Sequence, residues 1–347
     1  MLTVNAYGAI SAAGPLAPMT VQRRDLGPRD VLIEIRYCGI CHTDISHARS
    51  EWRPEPYPLV PGHELTGVVT AAGSAASRHA VGDRVGVGCM AGSCRECASC
   101  RKGQEQYCLQ GTILTYGSVD RDGTITQGGY STHVVVDQDF VLPVPEGIGL
   151  AEAAPLLCAG ITAYSPLRRW GTGPGTKVAV IGLGGLGHLA VKLARAMGAD
   201  VTVLSRSPGK RDDALRLGAS RYYATSDAAT LGQLAGTFDL IVNTVSATIN
   251  TDACLSLLAL DGVLACVGVA PEPLSVSGRA LASQRRVITG SLIGGLQETR
   301  DMLGFCADHH LGAEIEIIPA GKINEAYERV LASDVRYRFV IDNSTLT

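Results

Sequence analysis

Val178-Ala179-Val180-Ile181-Gly182-Leu183-Gly184-Gly185-Leu186-Gly187 decides how the second half of this 347-residue chain folds. Four consecutive apolar residues rich in β-branched side chains read as a buried strand. Glycines 182, 184 and 187 follow directly with G-x-G-x-x-G spacing, and Leu186 to Met197 continues with a helical apolar period. Such a spacing carries meaning only in this strand–turn–helix context. The glycines permit a tight turn and let a pyrophosphate approach the backbone, and the helix N-terminus offers unpaired N–H groups to the anion. Gly182, Leu183, Gly184, Gly185, Leu186 and Gly187 are therefore read as a dinucleotide-binding turn.

The end of the next strand, Val201 to Leu204, selects the dinucleotide. A carboxylate there would accept the ribose hydroxyls of NAD. The chain instead reads Ser205-Arg206-Ser207-Pro208-Gly209-Lys210, with no carboxylate before Asp212. Hydroxyls, a guanidinium and an ammonium suit a dianionic 2′-phosphate, which points to NADP(H). A solvated basic loop is the competing reading.

Beyond this point a helix is expected near Lys210 to Leu217, with strands at Asp239 to Asn243 and Val263 to Val267. Alternating β and α elements mean a doubly wound parallel sheet of Rossmann type, hence an α/β fold class for this half. The first 150 residues or so lack helical periods and carry short apolar runs such as Val31-Leu32-Ile33-Glu34-Ile35, so they read as a β-rich domain. The tail after about residue 288 reads as irregular and mixed structure, ends in an apparent strand Val335 to Asp342, and is expected to rejoin that first domain.

Composition narrows the partners. A net charge of −3 with no Lys/Arg run excludes a nucleic-acid footprint, and 46% hydrophobic against 18% charged residues describes a well-filled globular core. Small molecules are the expected ligands. No apolar run reaches the length of a membrane span, and the N-terminus has no secretory pattern, so a cytoplasmic setting is expected. Eleven cysteines in that setting suggest metal ligation before disulfides. Cys94, Cys97, Cys100 and Cys108 repeat as C-x2-C-x2-C-x7-C, a spacing that lets four thiolates close around one tetrahedral zinc and leaves no position for chemistry. An iron–sulfur cluster is the rival, weakened by the long last interval and the absence of a following Pro.

Three dispersed fragments complete the pattern: Cys38-Gly39-Ile40-Cys41-His42-Thr43-Asp44, Pro61-Gly62-His63-Glu64 and Leu156-Leu157-Cys158-Ala159-Gly160-Ile161-Thr162. Together with the cysteine loop and the glycine turn, this order resembles the zinc-containing medium-chain dehydrogenase/reductase superfamily along essentially the whole chain. Pro61-Gly62-His63-Glu64, the glycine turn and the ending Asp334 to Val340 resemble its cinnamyl alcohol dehydrogenase-like branch, which also favours NADP.

The resemblance implies a GroES-like catalytic domain formed by 1–158 and 289–347 and a Rossmann NADP-binding domain formed by 159–288. It implies Cys41, His63 and Cys158 as ligands of a catalytic zinc, with Glu64 as an alternate ligand and Asp44 orienting His63. Two Zn2+ per chain result, the second in the four-cysteine loop. The open zinc position would act as a Lewis acid on an alcohol or carbonyl oxygen. By the same resemblance Thr162 contacts the nicotinamide, and Arg338 reaches the pyrophosphate. It also implies that backbone around Val267, Gly268 and Val269, and around Ser291 and Leu292, lines the carboxamide, and that the protein forms a homodimer.

Thr43 matches the hydroxyl that begins the family's proton relay. The family's relay histidine is replaced by Ser46, with His47 one position later, so His47, Ser46 or water remain open for the last step. The expected activity is reversible hydride transfer between NADP(H) and aromatic or medium aliphatic primary alcohols and aldehydes. Alternatives are reduction of conjugated C=C or imine bonds, or a non-catalytic protein on the same fold. Trp52, Met90 and Ile293 are candidates for an apolar pocket.

Overall fold

The computed structural model describes residues 1–206, 208–226, 228–270 and 272–346, with the backbone alone at 228–230. The chain forms two compact units, Met1–Cys158 with Gly294–Thr347, and Ala159–Ile293.

The second unit carries a six-stranded sheet in the order Arg221–Ala224, Asp200–Ser205, Lys177–Ile181, Phe238–Asn243, Leu258–Cys266, Val287–Gly290. Every pairing is parallel. Numbered in chain order this is 3-2-1-4-5-6, the doubly wound arrangement expected of the glycine turn. The unit runs to Ile293 rather than ending at 288, because Val287–Gly290 pairs with Leu258–Cys266 as the sixth strand. Its mixed pattern of half-buried and exposed residues hides it from an apolar-run reading.

The inner strands are buried on both faces, and Ala179, Ile241, Leu255, Leu258 and Leu264 meet in one core with Phe238. Full burial of each large side chain contributes about 1.5–3 kcal/mol. The helix Gly187–Ala196 buries Leu189, Ala190, Val191, Leu193 and Ala194 and turns Arg195 outward, as its period requires. Its start depends on close approach: a Cβ on Gly187 would lie 2.1 Å from the Gly182 carbonyl oxygen.

In the first unit the ten-residue strand Asp30–Gly39 is the organising element. Its C-terminal half pairs with Arg338–Asp342, its N-terminal half with His133–Asp137, and its full length with Leu65–Ala72, all antiparallel. Arg338–Asp342 pairs on its other side with Ile315–Pro319, so the tail rejoins the first unit. That tail also forms the helices Leu296–Asp308 and Ile323–Leu331, where the sequence reads as irregular and mixed structure.

Candidate active site and metal centres

Antiparallel pairing of Cys38 with Leu65 fixes the first site. Cys41 lies just beyond one strand's C-terminal end, and His63 and Glu64 lie just before the neighbouring strand begins, so all three meet at one edge of the sheet. Cys41 caps the short helix His42–Ala48, and Cys158 follows the turn Ala154–Leu157. One ligand atom from each of Cys41, His63, Glu64 and Cys158 lies within 4.8 Å of the others, and all four residues are buried. Gly39 leaves room for the Glu64 carboxylate, since a Cβ there would lie 2.1 Å from Glu64 Oε2 and displace it.

The donor set fits zinc. Two thiols and an imidazole are crowded together, with His63 Nε2 3.3 Å from Cys158 Sγ. A hydrogen bond with Cys158 draws the Cys41 thiol well below its ordinary range, and the same contact raises Cys158. Two buried sulfurs within reach of one imidazole suit a dication that binds both as thiolates.

Glu64 faces a guanidinium. Arg338 Nη2 lies 2.5 and 2.6 Å from its two carboxylate oxygens, and both residues are buried. Burial pushes the Glu64 carboxyl up to about 7, against the pull of Arg338. Burial alone would lower Arg338, but Glu64, Cys41 and Cys158 together raise it. Arg338, expected at a pyrophosphate, thus has charge committed to Glu64 inside the first unit, while its Nε has no partner among the described residues. Asp44 accepts from His63 Nδ1 at 2.9 Å, the arrangement that fixes a metal-binding imidazole with Nε2 toward the ion.

Around the helix His42–Ala48, Thr43 is half-buried in the first turn. Ser46 Oγ donates to Glu51 Oε2 at 2.7 Å. His47 is buried, with Nδ1 2.7 Å from Glu55 Oε1, and Arg53 Nε donates to the same oxygen at 2.8 Å. His47 also packs edge-on against Trp52 and Tyr116. Trp52 itself is half exposed, and Met90 is buried in the first unit.

The four-cysteine loop closes as its spacing implies. Sγ atoms of Cys94, Cys97, Cys100 and Cys108 lie within 4.8 Å of one another. Backbone N–H groups point at the sulfurs: Cys94 to Cys108 at 3.4 Å, Cys97 to Cys94 at 3.3 Å, and Leu109 to Cys97 at 3.3 Å. Hydrogen bonds from the backbone of Cys100 and Leu109 lower the Cys97 thiol to about 6, whereas burial pushes Cys100 up to about 12. No fifth donor is needed, so the loop fits a structural ion. Arg95 ties it to Asp137 and Asp139, each at 2.7 Å.

In the second unit the cofactor candidates gather at the carboxyl ends of parallel strands. The glycine turn follows Lys177–Ile181, and Ser205 ends Asp200–Ser205. Val267, Gly268 and Val269 follow Leu258–Cys266, and Ser291 and Leu292 follow Val287–Gly290, with Ser291 N–H donating to the Cys266 carbonyl at 3.2 Å. Such an edge is where doubly wound sheets bind ligands. Arg206 is exposed, while Lys210 Nζ donates to the Leu183 carbonyl at 2.8 Å and so joins the basic loop to the glycine turn. Ser207 lies outside the described residues. Thr162 is buried on the helix Ala159–Arg169.

Sequence reasoning missed Cys89, whose thiol is lowered chiefly by a hydrogen bond with Cys158, and missed Glu55, Tyr116 and Tyr130 around the site. An unassigned cysteine within a few residues of the cysteine loop was the only signal for the first. No spacing marks the others.

Residues 27–146 match the alcohol dehydrogenase GroES-like domain, and residues 185–308 match the zinc-binding dehydrogenase domain. The chain is 60% identical over 347 residues to NADP-dependent alcohol dehydrogenase C 1 of Mycolicibacterium smegmatis, covering 100% of this chain and 99% of that protein. A cinnamyl alcohol dehydrogenase from Sorghum bicolor superimposes with a TM-score of 0.96 at 44% identity, over 99% of this chain and 98% of that one. The Helicobacter pylori enzyme, solved with NADP(H), gives 0.93 at 39% identity, over 99% of both chains. With ligand groups assembled in one unit and a dinucleotide turn in the other, the chain belongs to the zinc-containing medium-chain alcohol dehydrogenases, in the cinnamyl alcohol dehydrogenase-like branch.

Proposed function

We infer that the protein is a zinc-dependent, NADP(H)-linked alcohol dehydrogenase and aldehyde reductase, acting reversibly on aromatic or medium aliphatic primary alcohols and aldehydes. The observation that carries this is the buried group Cys41, His63, Glu64 and Cys158 with ligand atoms within 4.8 Å. When bound, zinc on Cys41, His63 and Cys158 supplies a Lewis acid for the substrate oxygen, and the nicotinamide supplies or takes up hydride. Asp44 holds the His63 ring in the ligating orientation. Arg338 holds Glu64 by both oxygens, which makes the carboxylate a withheld rather than a permanent ligand. NADP(H) preference is supported by Ser205, Arg206 and Lys210 and by the naming of the relatives.

For the proton, Thr43 begins the path, and Ser46 hands on to Glu51, whose side chain reaches solvent. His47 is occupied by Glu55 and serves packing in this reading. His47→Ala is therefore expected to change kcat less than about two-fold across pH, since general acid–base groups contribute about 10²-fold or more when used. A Ser46→Ala variant that keeps full kcat while His47→Ala loses it would reverse the assignment.

A homodimer in the cytoplasm completes the proposal. All eleven cysteines are free, and the strand Val287–Gly290 has a neighbour on one side only among the described residues. No described helix is long and apolar enough to cross a membrane.

The direct test follows NADPH and NADH consumption with cinnamaldehyde and benzaldehyde, with and without a zinc chelator. Chelator-sensitive turnover with NADPH is expected. Preference for NADH overturns the phosphate reading, and turnover that survives complete zinc removal overturns the metal reading.

A further inference from the structure

We propose that Tyr130 is a positioning residue for the metal ligand His63, acting through Asp44; the inference builds on the zinc reading above. Asp44 is fully buried and accepts four hydrogen bonds. Three come from the ligand segments themselves: Cys41 N–H at 2.9 Å, Gly62 N–H at 3.1 Å and His63 Nδ1 at 2.9 Å. The fourth, Tyr130 Oη at 3.2 Å, comes from a separate loop. That hydroxyl shares Asp44 Oδ2 with the Cys41 N–H and is the one donor to it from outside the ligand segments, while Oδ1 faces the imidazole, so the two oxygens together set the carboxylate plane and with it the His63 ring.

Two features show that the hydroxyl is held for this purpose. Tyr327, from the helix Ile323–Leu331, donates to Tyr130 Oη at 3.5 Å. A hydroxyl that accepts from one neighbour has its own proton free for another, so Tyr130 is directed to donate to Asp44. The loop carrying Tyr130 is also clamped. It pairs with the segment before His63 through Gly128 N–H to Val60, Gly129 N–H to Gly62 and Tyr130 N–H to Pro61, at 2.7, 2.9 and 3.0 Å.

Behind it lies Arg23, a buried guanidinium that makes no ion pair among the described residues. It donates to the carbonyls of Gln127, Gly128 and His133 and to Ser131 Oγ, at 2.5 to 2.9 Å. Asn343 adds two bonds of 2.8 Å, to the Gly129 and Ser131 carbonyls. Burying a cation with only neutral acceptors is costly, and burial lowers Arg23 to about 10. Such a clamp is explicable if the loop must not move relative to His63.

The test uses Tyr130→Phe, which removes one oxygen and keeps the ring. Zinc release to a chromophoric chelator should show a fast phase from the catalytic site and a slow phase from the four-cysteine site, which serves as internal reference. The fast phase in Tyr130→Phe is expected to be about tenfold faster, the lower end for outer partners of metal ligands, with the slow phase unchanged. Tyr327→Phe should give a smaller acceleration of the same phase, and cobalt substituted at the catalytic site should change its d–d spectrum in Tyr130→Phe.

A fast phase and cobalt spectrum identical to the unmodified protein, with only a lowered Tm, would reduce Tyr130 to a packing residue and overturn the inference. Absence of any fast phase in the unmodified protein would instead sink the zinc reading, and this inference with it.

Discussion

Cys158→Ser is expected to lower kcat for aldehyde reduction by at least about 10³-fold, since Lewis-acid stabilisation contributes several kcal/mol and each 1.36 kcal/mol is tenfold. A hydroxyl nearly matches the thiol in size, so Leu156 and Leu157, both buried beside it, keep their packing. It is a poor substitute for a soft thiolate ligand. Zinc content should fall from two to one per chain, because the four-cysteine loop is a separate closed site. NADPH binding should persist, because the glycine turn belongs to the other unit. Metal analysis and cofactor titration on the same sample check all three. Full turnover after loss of one zinc would remove the metal from the reaction.

The second large effect concerns cofactor choice. Combining Ser205→Asp with Arg206→Ala is expected to reduce kcat/KM for NADPH by about 10²–10³-fold. Hydrogen bonds to charged groups contribute about 1.5–3 kcal/mol each, and the new carboxylate repels the 2′-phosphate. NADH should be used as well as before or better, since the same carboxylate can accept its ribose hydroxyls. Lys210 is left in place because its ammonium supports the Leu183 carbonyl, so replacing it would disturb the glycine turn and harm both cofactors. The informative quantity is the NADPH/NADH ratio of kcat/KM. An equal fall with both cofactors would signal damage to the loop, and an unchanged ratio would refute the phosphate reading.

Local chemistry made much of this molecule readable. The glycine turn is legible because strand, turn and helix are consecutive in the chain, so spacing and context are both local. The same holds for the four-cysteine loop, whose ligands span Cys94 to Cys108. The strand Val287–Gly290 was not legible, since an edge strand with half-buried residues carries neither an apolar run nor clean alternation. The helices Leu296–Asp308 and Ile323–Leu331 likewise lie in a tail whose sequence reads as irregular and mixed.

The catalytic ligands lie between these cases. Cys41, His63 and Cys158 are separated by up to 95 residues between consecutive members, and without the family resemblance each is an ordinary residue. The antiparallel register that brings Cys38 opposite Leu65 is what unites the first two.

By itself, the sequence determined the alternating strands and helices of the doubly wound half apart from its last strand, the dinucleotide turn, the basic loop beyond it and the closed four-cysteine site, because each is read from short stretches whose spacing and context are local. Only the tertiary structure decided the partners of charge and proton: Arg338 on Glu64, His47 on Glu55, Ser46 on Glu51, and Tyr130 on Asp44. Those pairings join residues that are chemically able to bond many partners, and burial in one geometry, rather than spacing, selects which bond forms.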